Sequence, residues 1–306
     1  MKIKLMMLLL LISMKNYGKD SDSLQLFENS TEVNKSRVHL LNYTVAGLYP
    51  LSMSWLYTQW YKDYPQSSFH FFNDNSEWLQ MDKFGHTWDA YNISKPVFQL
   101  YNWAGYDNKK ATLTACGISF LFQSTVEVFD GFSSEWGFST GDILGNTTGV
   151  LLFGAQQLAW QEQRIKLKYS FHQTNYSSLR PDLLGSNLPE NILKDYNGLT
   201  YWLSVNPSSF IRTKNKFPKW LGVAFGFGAD GLLGGINNPE KINGKVLPVY
   251  ERYRQYYLSF DIELSKIKTN SKFFNGIFRL VNIIHIPAPT VEFSPGRKAI
   301  GRLLYF

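Results

Sequence analysis

The stretch DILGNTTGVLLFGAQQLAWQEQRIKLKYSFH, residues 142–172, changes its hydrophobic period near its middle. Before Arg164 the apolar and small residues follow the spacing of a helix. After it Ile165, Leu167, Tyr169 and Phe171 alternate with polar residues. Helices repeat every 3.6 residues and strands every two. The sequence therefore predicts an α+β fold, with a helical domain at 38–164 followed by an antiparallel β region at 165–306.

The helical half contains four weakly charged segments with helical periodicity. They cover residues 40–61, 82–103, 111–130 and 142–164. Pro50 and Pro96 fall inside the first two, where we expect a kink, a helix start or a break. Gly145 and Gly149 lie near one stripe of the fourth segment, and small residues at this spacing let helices approach closely. We therefore expect a compact bundle of about four helices.

The C-terminal half contains roughly six to eight candidate strands. They are predicted at 165–171, 199–205, 221–227, 256–264, 276–286, 289–293 and 299–306. Long strands rich in Tyr and Phe are typical of outer-membrane barrels. However, about 140 residues barely suffice for eight strands, the smallest closed form. A sheet packed on the bundle and a partial or small barrel both remain open.

The N-terminus indicates where the protein works. Lys2 and Lys4 precede an apolar stretch at 5–14 and the small residue Gly18, a pattern that predicts a signal peptide at 1–18. The formal net charge is only +7, and the basic residues are scattered, which argues against a nucleic-acid partner. We expect a bacterial cell-envelope protein on the periplasmic side of the outer membrane.

The chain has a single cysteine, Cys116, in an apolar segment. An intramolecular disulfide and a cysteine zinc site are therefore excluded. No cysteine follows the predicted cleavage point, where a lipoprotein signal would place one. We expect membrane attachment to come from the protein surface instead.

Ionisable residues gather in the otherwise apolar helices. Asp82 and His86 are four residues apart, and Glu127 and Asp130 are three apart, so each pair shares a helix face. Asp142 and Asn146 repeat the spacing of four. If the last two helices form a hairpin, these groups converge. The candidate metal ligands are Asp82, His86, Glu127, Asp130 and Asp142.

Three interpretations of this convergence stay open. The residues could form a structural network, in which Asp82 and Asp142 cap helices and Lys83 neutralises a carboxylate. They could bind a divalent metal ion such as Zn, Mn, Fe or Ca. They could also be catalytic, with His86 as acid or base, although the motif assigns no reaction.

Two segments carry a family resemblance: DKFGHTWDAY at 82–91 and EVFDGFSSEWGFSTGDILGNTTGVLLFG at 127–154. They resemble the DUF2279 or YfiM-like predicted periplasmic lipoproteins and, more distantly, VanZ-like membrane proteins. The matching positions are Asp82, Lys83, His86, Glu127, Asp142, Asn146 and Gly149. The resemblance implies an envelope location and a shared polar site, but it supplies no reaction.

These observations predict a non-enzymatic envelope protein associated with the outer membrane. It would act as an accessory subunit of a membrane complex, with membrane lipid or an outer-membrane protein complex as its partner. The alternative prediction is a metal-dependent hydrolase that acts on lipid or cell-wall phosphate. It is based on four of the candidate residues: His86, Glu127, Asp130 and Asp142.

Overall fold

A computed structural model describes residues 29–306 except 63, 212–217 and 243. Its N-terminal half contains four long helices: α1 (Lys35–Leu56), α2 (Met81–Trp103), α3 (Asn108–Gly131) and α4 (Thr140–Trp160). The expected bundle of about four helices is confirmed. The predicted signal peptide at 1–18 lies outside the described residues.

Helices α1 and α2 continue through their internal prolines, Pro50 and Pro96. The break expected at Pro96 is therefore wrong. A proline removes one backbone hydrogen bond, but α2 is packed against both α3 and α4 along its length. That packing outweighs the local loss, and the helix ends only at Trp103.

Two glycines bring α2 and α4 almost into backbone contact. A Cβ atom placed on Gly149 would lie 2.3 Å from the carbonyl oxygen of Thr87. At Gly145 it would lie 2.9 Å from the carbonyl oxygen of Lys83. Both distances are too short for a side chain, so the close approach expected for these small residues is confirmed, and it requires glycine.

Within the described part of the chain, α3 is the one helix that is long and apolar enough to cross a membrane. Only 28% of its most apolar 18-residue window is buried by the rest of the protein. A soluble core helix would be covered more completely. Helix α3 therefore exposes much of its apolar surface.

The C-terminal half forms a six-stranded sheet in the linear order β1-β2-β3-β6-β7-β8, with every neighbouring pair antiparallel. Its strands are β1 (Ile165–Phe171), β2 (Leu199–Val205), β3 (Leu221–Asp230), β6 (Tyr253–Ile262), β7 (Ala288–Phe293) and β8 (Ile300–Tyr305). The small hairpin of β4 (Lys241–Ile242) and β5 (Lys245–Val246) is inserted between β3 and β6. Three short helices, α5 (Tyr176–Leu179), α6 (Pro181–Leu184) and α7 (Leu188–Lys194), connect β1 to β2. The predicted α+β order and number of strands are confirmed.

The strand predicted at 276–286 is wrong, because most of this segment belongs to helix α8 (Lys272–Val281). Ser271 caps the helix by accepting a hydrogen bond from the backbone N–H of Phe274. Phe273, Ile277 and Val281 are spaced four residues apart and share one helix face. This helical spacing, and not the run of apolar residues, determines that the segment forms a helix.

The sheet has an unusual polarity, with polar side chains on its buried face. In β6, Gln255, Ser259 and Asp261 are buried, whereas Leu258 and Phe260 are exposed. Lys168 of β1 is fully buried and pairs with Asp261 at 2.7 Å. The same buried face holds a cluster of aromatic rings formed by Trp202, Tyr257 and Tyr305. The ring of His285 stacks on that of Trp202 with centroids 3.9 Å apart. The apolar sides of these strands therefore face outward.

The bundle packs on part of that outward face through α2. The rings of Phe84 and Phe227 stack with centroids 4.2 Å apart, and those of Trp88 and Tyr169 meet edge to face at 4.8 Å. Such aromatic pairs contribute beyond the area that they bury. Helix α2 is thus the element that joins the bundle to the sheet.

The glycine contact predicts that Gly149→Ala destabilises the protein by about 1–3 kcal/mol, because its methyl group would collide with the backbone of α2. The matched control is Gly117→Ala in α3, where nothing lies within 4 Å of the new methyl group. That variant should gain up to about 1 kcal/mol from helix propensity. Chemical unfolding of the two variants checks the difference, and equal stabilities would contradict the close approach.

The buried stack predicts a loss of stability in acid. Burial lowers the pKa of His285 to about 4 from its ordinary 6.5. Because the unfolded chain takes up the proton first, the free energy of unfolding should fall by up to about 3 kcal/mol between pH 6.5 and 4. His285→Phe keeps a ring on Trp202 and should lack this component. An identical change with pH in the two proteins would contradict the assignment.

Candidate functional site

The ionisable residues of α2, α3 and α4 meet at one level of the bundle. Asp82 and His86 lie in the first turns of α2, Glu127 lies near the end of α3, and Asp142 lies in the first turn of α4. Ser139 is the N-cap of α4 and accepts a hydrogen bond from the backbone N–H of Asp142. Because only residues 132–139 separate α3 from α4, the end of one helix lies beside the start of the other.

Lys83 is the cation on one side of this cluster. Its Nζ lies 2.7 Å from Asp74 Oδ2, 2.8 Å from Asp142 Oδ1 and 3.2 Å from Asp82 Oδ2. Burial alone would lower the pKa of Lys83, but these carboxylates raise it above its usual value. The ammonium group therefore remains charged and holds α2, α4 and the loop before α2 together.

His86 is the second group that faces several carboxylates. Its Nε2 lies 3.5 Å from Glu127 Oε1, 3.8 Å from Asp82 Oδ1 and 3.9 Å from Asp142 Oδ1. Its Nδ1 lies 3.1 Å from Asn146 Oδ1. An N–H on Nδ1 that donates to Asn146 would direct Nε2 towards the three carboxylates.

Glu127 is completely buried at the centre of the site. Its Oε2 accepts a hydrogen bond from the backbone N–H of Ser139 at 3.3 Å, whereas its Oε1 accepts none. The Ser139 hydroxyl in turn donates to Asp74 Oδ1 at 2.6 Å. One Glu127 oxygen is thus fixed by the backbone, and the other points at His86 without a donor.

The crowding of negative charge perturbs the titration of the site. Burial alone would lower the pKa of His86, but Asp82, Asp142 and Glu127 outweigh it and raise the pKa to about 9. Burial, followed by the Asp82 carboxylate, raises the pKa of Asp142 to about 7. Burial would also raise the pKa of Asp82, but His86 and Lys83 hold it below its usual value. The site therefore favours a positive charge next to Asp82.

The structure brings together four of the five candidate ligands. Asp82, His86 and Asp142 offer ligand atoms within 4.8 Å of one another, and Glu127 lies against His86. Asp130 instead accepts a hydrogen bond from the Tyr61 hydroxyl at 2.8 Å. Asp82 and Asp142 lie in first helical turns, but the capping side chain of α4 is that of Ser139.

Three further residues of the site were not predicted from the sequence. Asp74 lies in the irregular segment before α2, where no periodicity points to it. Tyr196, which donates to Asp82 Oδ1 at 2.9 Å, comes from the distant connection between β1 and β2. Asp89 was detectable, because it lies three residues after His86 on the same helix. Burial raises the pKa of Asp89 to about 6.

Residues 70–155 match the family described as predicted periplasmic lipoprotein (DUF2279). This segment, here called the DUF2279 region, is similar to that family. It contains every ligand candidate named above and ends before β1. No curated protein and no solved structure matches the chain.

The DUF2279 match confirms the family resemblance read from the two segments, and it supports an envelope-associated, periplasmic protein. The YfiM-like and VanZ-like resemblances stay predictions. The sheet and α8 lie outside the DUF2279 region, so the family description does not extend to them.

The ion pairs predict that Lys83→Met costs about 3–5 kcal/mol, because it leaves buried carboxylates without their cation. Adding Asp142→Asn to this variant should restore part of the loss by removing one of those charges. The control is Arg297→Met, which breaks an exposed pair with Glu251 and should cost less than about 1 kcal/mol. Chemical unfolding measures all three variants; similar losses for Lys83→Met and Arg297→Met would contradict a charge-bearing core.

Proposed function

We propose that the protein is a non-enzymatic envelope protein of the outer membrane, which contacts lipid through its own surface and serves as an accessory subunit of a membrane complex. The polar cluster joins the helices, and a divalent cation, one of the interpretations that the sequence leaves open, would strengthen that joint. The proposal rests chiefly on the polarity of the sheet.

The outward side chains of the central strands form continuous apolar rows. Leu203, Phe225, Leu258 and Val291 are direct cross-strand neighbours on β2, β3, β6 and β7. These four side chains are 38–54% exposed. Two parallel rows flank them. Tyr201 and Phe227 of one flanking row pack against the bundle, and the remaining residues define the outer apolar face: Leu203, Val205, Val223, Phe225, Tyr256, Leu258, Phe260, Val291 and Phe293.

Water is a poor solvent for such a surface. Antiparallel sheets of water-soluble proteins bury their apolar side and expose their polar side. Here the buried side holds the Lys168–Asp261 pair, and the apolar side is open over β6 and β7. Apolar outside and polar inside is the arrangement of strands in the outer membrane. Lipid contact would remove the cost of exposing these rows to water.

Further exposed apolar residues extend the surface beyond the sheet. Phe273 and Leu280 of α8 are exposed, as are Leu303 and Leu304 of β8. Exposed apolar patches of this extent mark protein or membrane contact sites. Protein partners in a membrane complex could contact any part of this surface that lipid leaves free.

The hydrolase alternative has less geometric support. Glu127 is wholly buried, and the Asp142 side chain is only 5% exposed. A phosphate-bearing substrate would therefore have little surface through which to reach them. The charged groups of the cluster are also engaged with one another, as expected for a structural joint.

Lipid contact predicts that Leu258→Arg weakens membrane association, because a cation on a lipid-facing strand costs about 2–4 kcal/mol near the membrane centre. The control is Val249→Arg, which adds the same charge at a fully exposed loop position. In alkaline extraction of isolated membranes, the wild type and Val249→Arg should remain in the pellet. Leu258→Arg should appear in the alkaline extract or fail to accumulate in the membranes.

Two results would contradict the proposal. One is recovery of the wild-type protein in the soluble periplasmic fraction after gentle osmotic release. The other is retention of Leu258→Arg in the membrane pellet to the same extent as the wild type.

A further inference from the structure

The Nε2 atom of His86 faces three carboxylate oxygens. Its distances to the oxygens of Glu127, Asp82 and Asp142 are 3.5, 3.8 and 3.9 Å. These separations are long for hydrogen bonds. Ligand atoms around a tetrahedral ion with bonds of about 2.0–2.1 Å lie about 3.4 Å apart. The ligand atoms of His86, Asp82 and Asp142 already lie within 4.8 Å of one another, and the Glu127 oxygen lies 3.5 Å from the imidazole, so the four groups would move inward to surround such an ion.

Asn146 orients the imidazole for this role. With Nδ1 donating its proton to Asn146 Oδ1, the lone pair of a neutral His86 lies on Nε2 and faces the carboxylates. Metal-binding histidines commonly donate their other N–H to an acceptor in this way. A lone pair aimed at three carboxyl groups is stable only with a proton or a metal ion between it and their oxygens.

Glu127 supplies an independent observation that points to a cation. It is completely buried, and its Oε1 accepts no hydrogen bond, although a buried carboxylate oxygen normally has a donor. The backbone N–H of Ser139 holds the other oxygen, so Oε1 stays directed at His86. A cation at the centre would satisfy this oxygen.

The charge balance favours a divalent ion. The carboxylates of Asp74, Asp82, Glu127 and Asp142 surround the site, whereas Lys83 supplies one positive charge. With a neutral imidazole and ionised carboxylates, this excess of negative charge must be met by bound protons or by a cation, because unpaired charge in a mostly buried region is costly. A dipositive ion would neutralise most of this excess. Lys83 already contacts the proposed ligand oxygen of Asp142, since its Nζ lies 2.8 Å from Oδ1, so the ammonium group and the ion would share this oxygen.

We infer that His86, Asp82, Glu127 and Asp142 form a structural site for a first-row divalent cation, with zinc the best match. One imidazole and three carboxylates are zinc-type ligands, whereas calcium takes six to eight oxygens. Four protein ligands make a closed set without a position for substrate, as in structural sites. The ion would connect α2, α3 and α4.

Zinc binding to the full-length protein tests the site. The protein is purified in mild detergent, stripped with a chelator, dialysed and titrated with zinc, and the bound metal is measured by elemental analysis. We expect about one zinc ion per chain and a higher Tm that the chelator reverses. Absence of stoichiometric zinc from the wild type would overturn the site.

Matched variants locate the binding. His86→Ala should lower zinc affinity at least about 10-fold, because even the loss of a residue that only hydrogen-bonds to a metal ligand has an effect of this size. Glu127→Gln retains an acceptor for the Ser139 N–H but loses the charge, so it should fold and lose affinity similarly. His39→Ala removes an exposed histidine of α1 and should bind zinc like the wild type.

Unchanged affinity in Glu127→Gln would overturn the site even if His86→Ala fails to fold. Loss of affinity in His39→Ala equal to that in Glu127→Gln would also overturn it, because binding would then not be specific to the cluster. The inference deepens the structural role proposed for the cluster and is independent of the lipid contact. Membrane extraction of Leu258→Arg and zinc binding can therefore fail separately.

Discussion

Carboxylates buried between three helices must be balanced by cations, and this constraint organises the N-terminal half. Lys83 contacts Asp74, Asp82 and Asp142, and His86 faces Glu127 from the same side of α2. Such contacts require α2 and α4 to approach until their backbones nearly touch at Gly149. Charge and close packing therefore fix the same arrangement of helices, and a shift of one turn would leave charges unpaired.

The same helix that carries the cations also joins the bundle to the sheet. Phe84 is one residue away from Lys83 and stacks on Phe227 of β3, whereas Tyr196 reaches back from the β region to Asp82. The polar cluster is thus supported from both halves of the chain. Beyond this junction the sheet exposes its apolar rows, so the end of the sheet that packs on α2 and the end that is open have different surroundings.

Much of this arrangement could be predicted from residue spacing. Helical periodicity placed His86, Glu127 and Asp142 on inward faces, and the short connection after Asp130 brought them to one level. Period-two alternation predicted β1 with the observed bounds. The alternation could not show whether the row of Tyr256, Leu258 and Phe260 faces the core or the outside, because a core-facing row and a lipid-facing row have the same pattern. Asp74 was missed because contacts made by an irregular loop leave no periodic signal, and α8 was missed because an apolar run fits a strand as well as a helix.

The central claim is that these acidic and imidazole side chains meet at one point inside the bundle. An experimental density map of the full chain in a lipid nanodisc measures this most directly. The account predicts His86 Nε2 within about 4 Å of the carboxylates of both Glu127 and Asp142, the range of a close ion pair. A His86 ring more than about 12 Å from both, the width of a helix with its side chains, would contradict it.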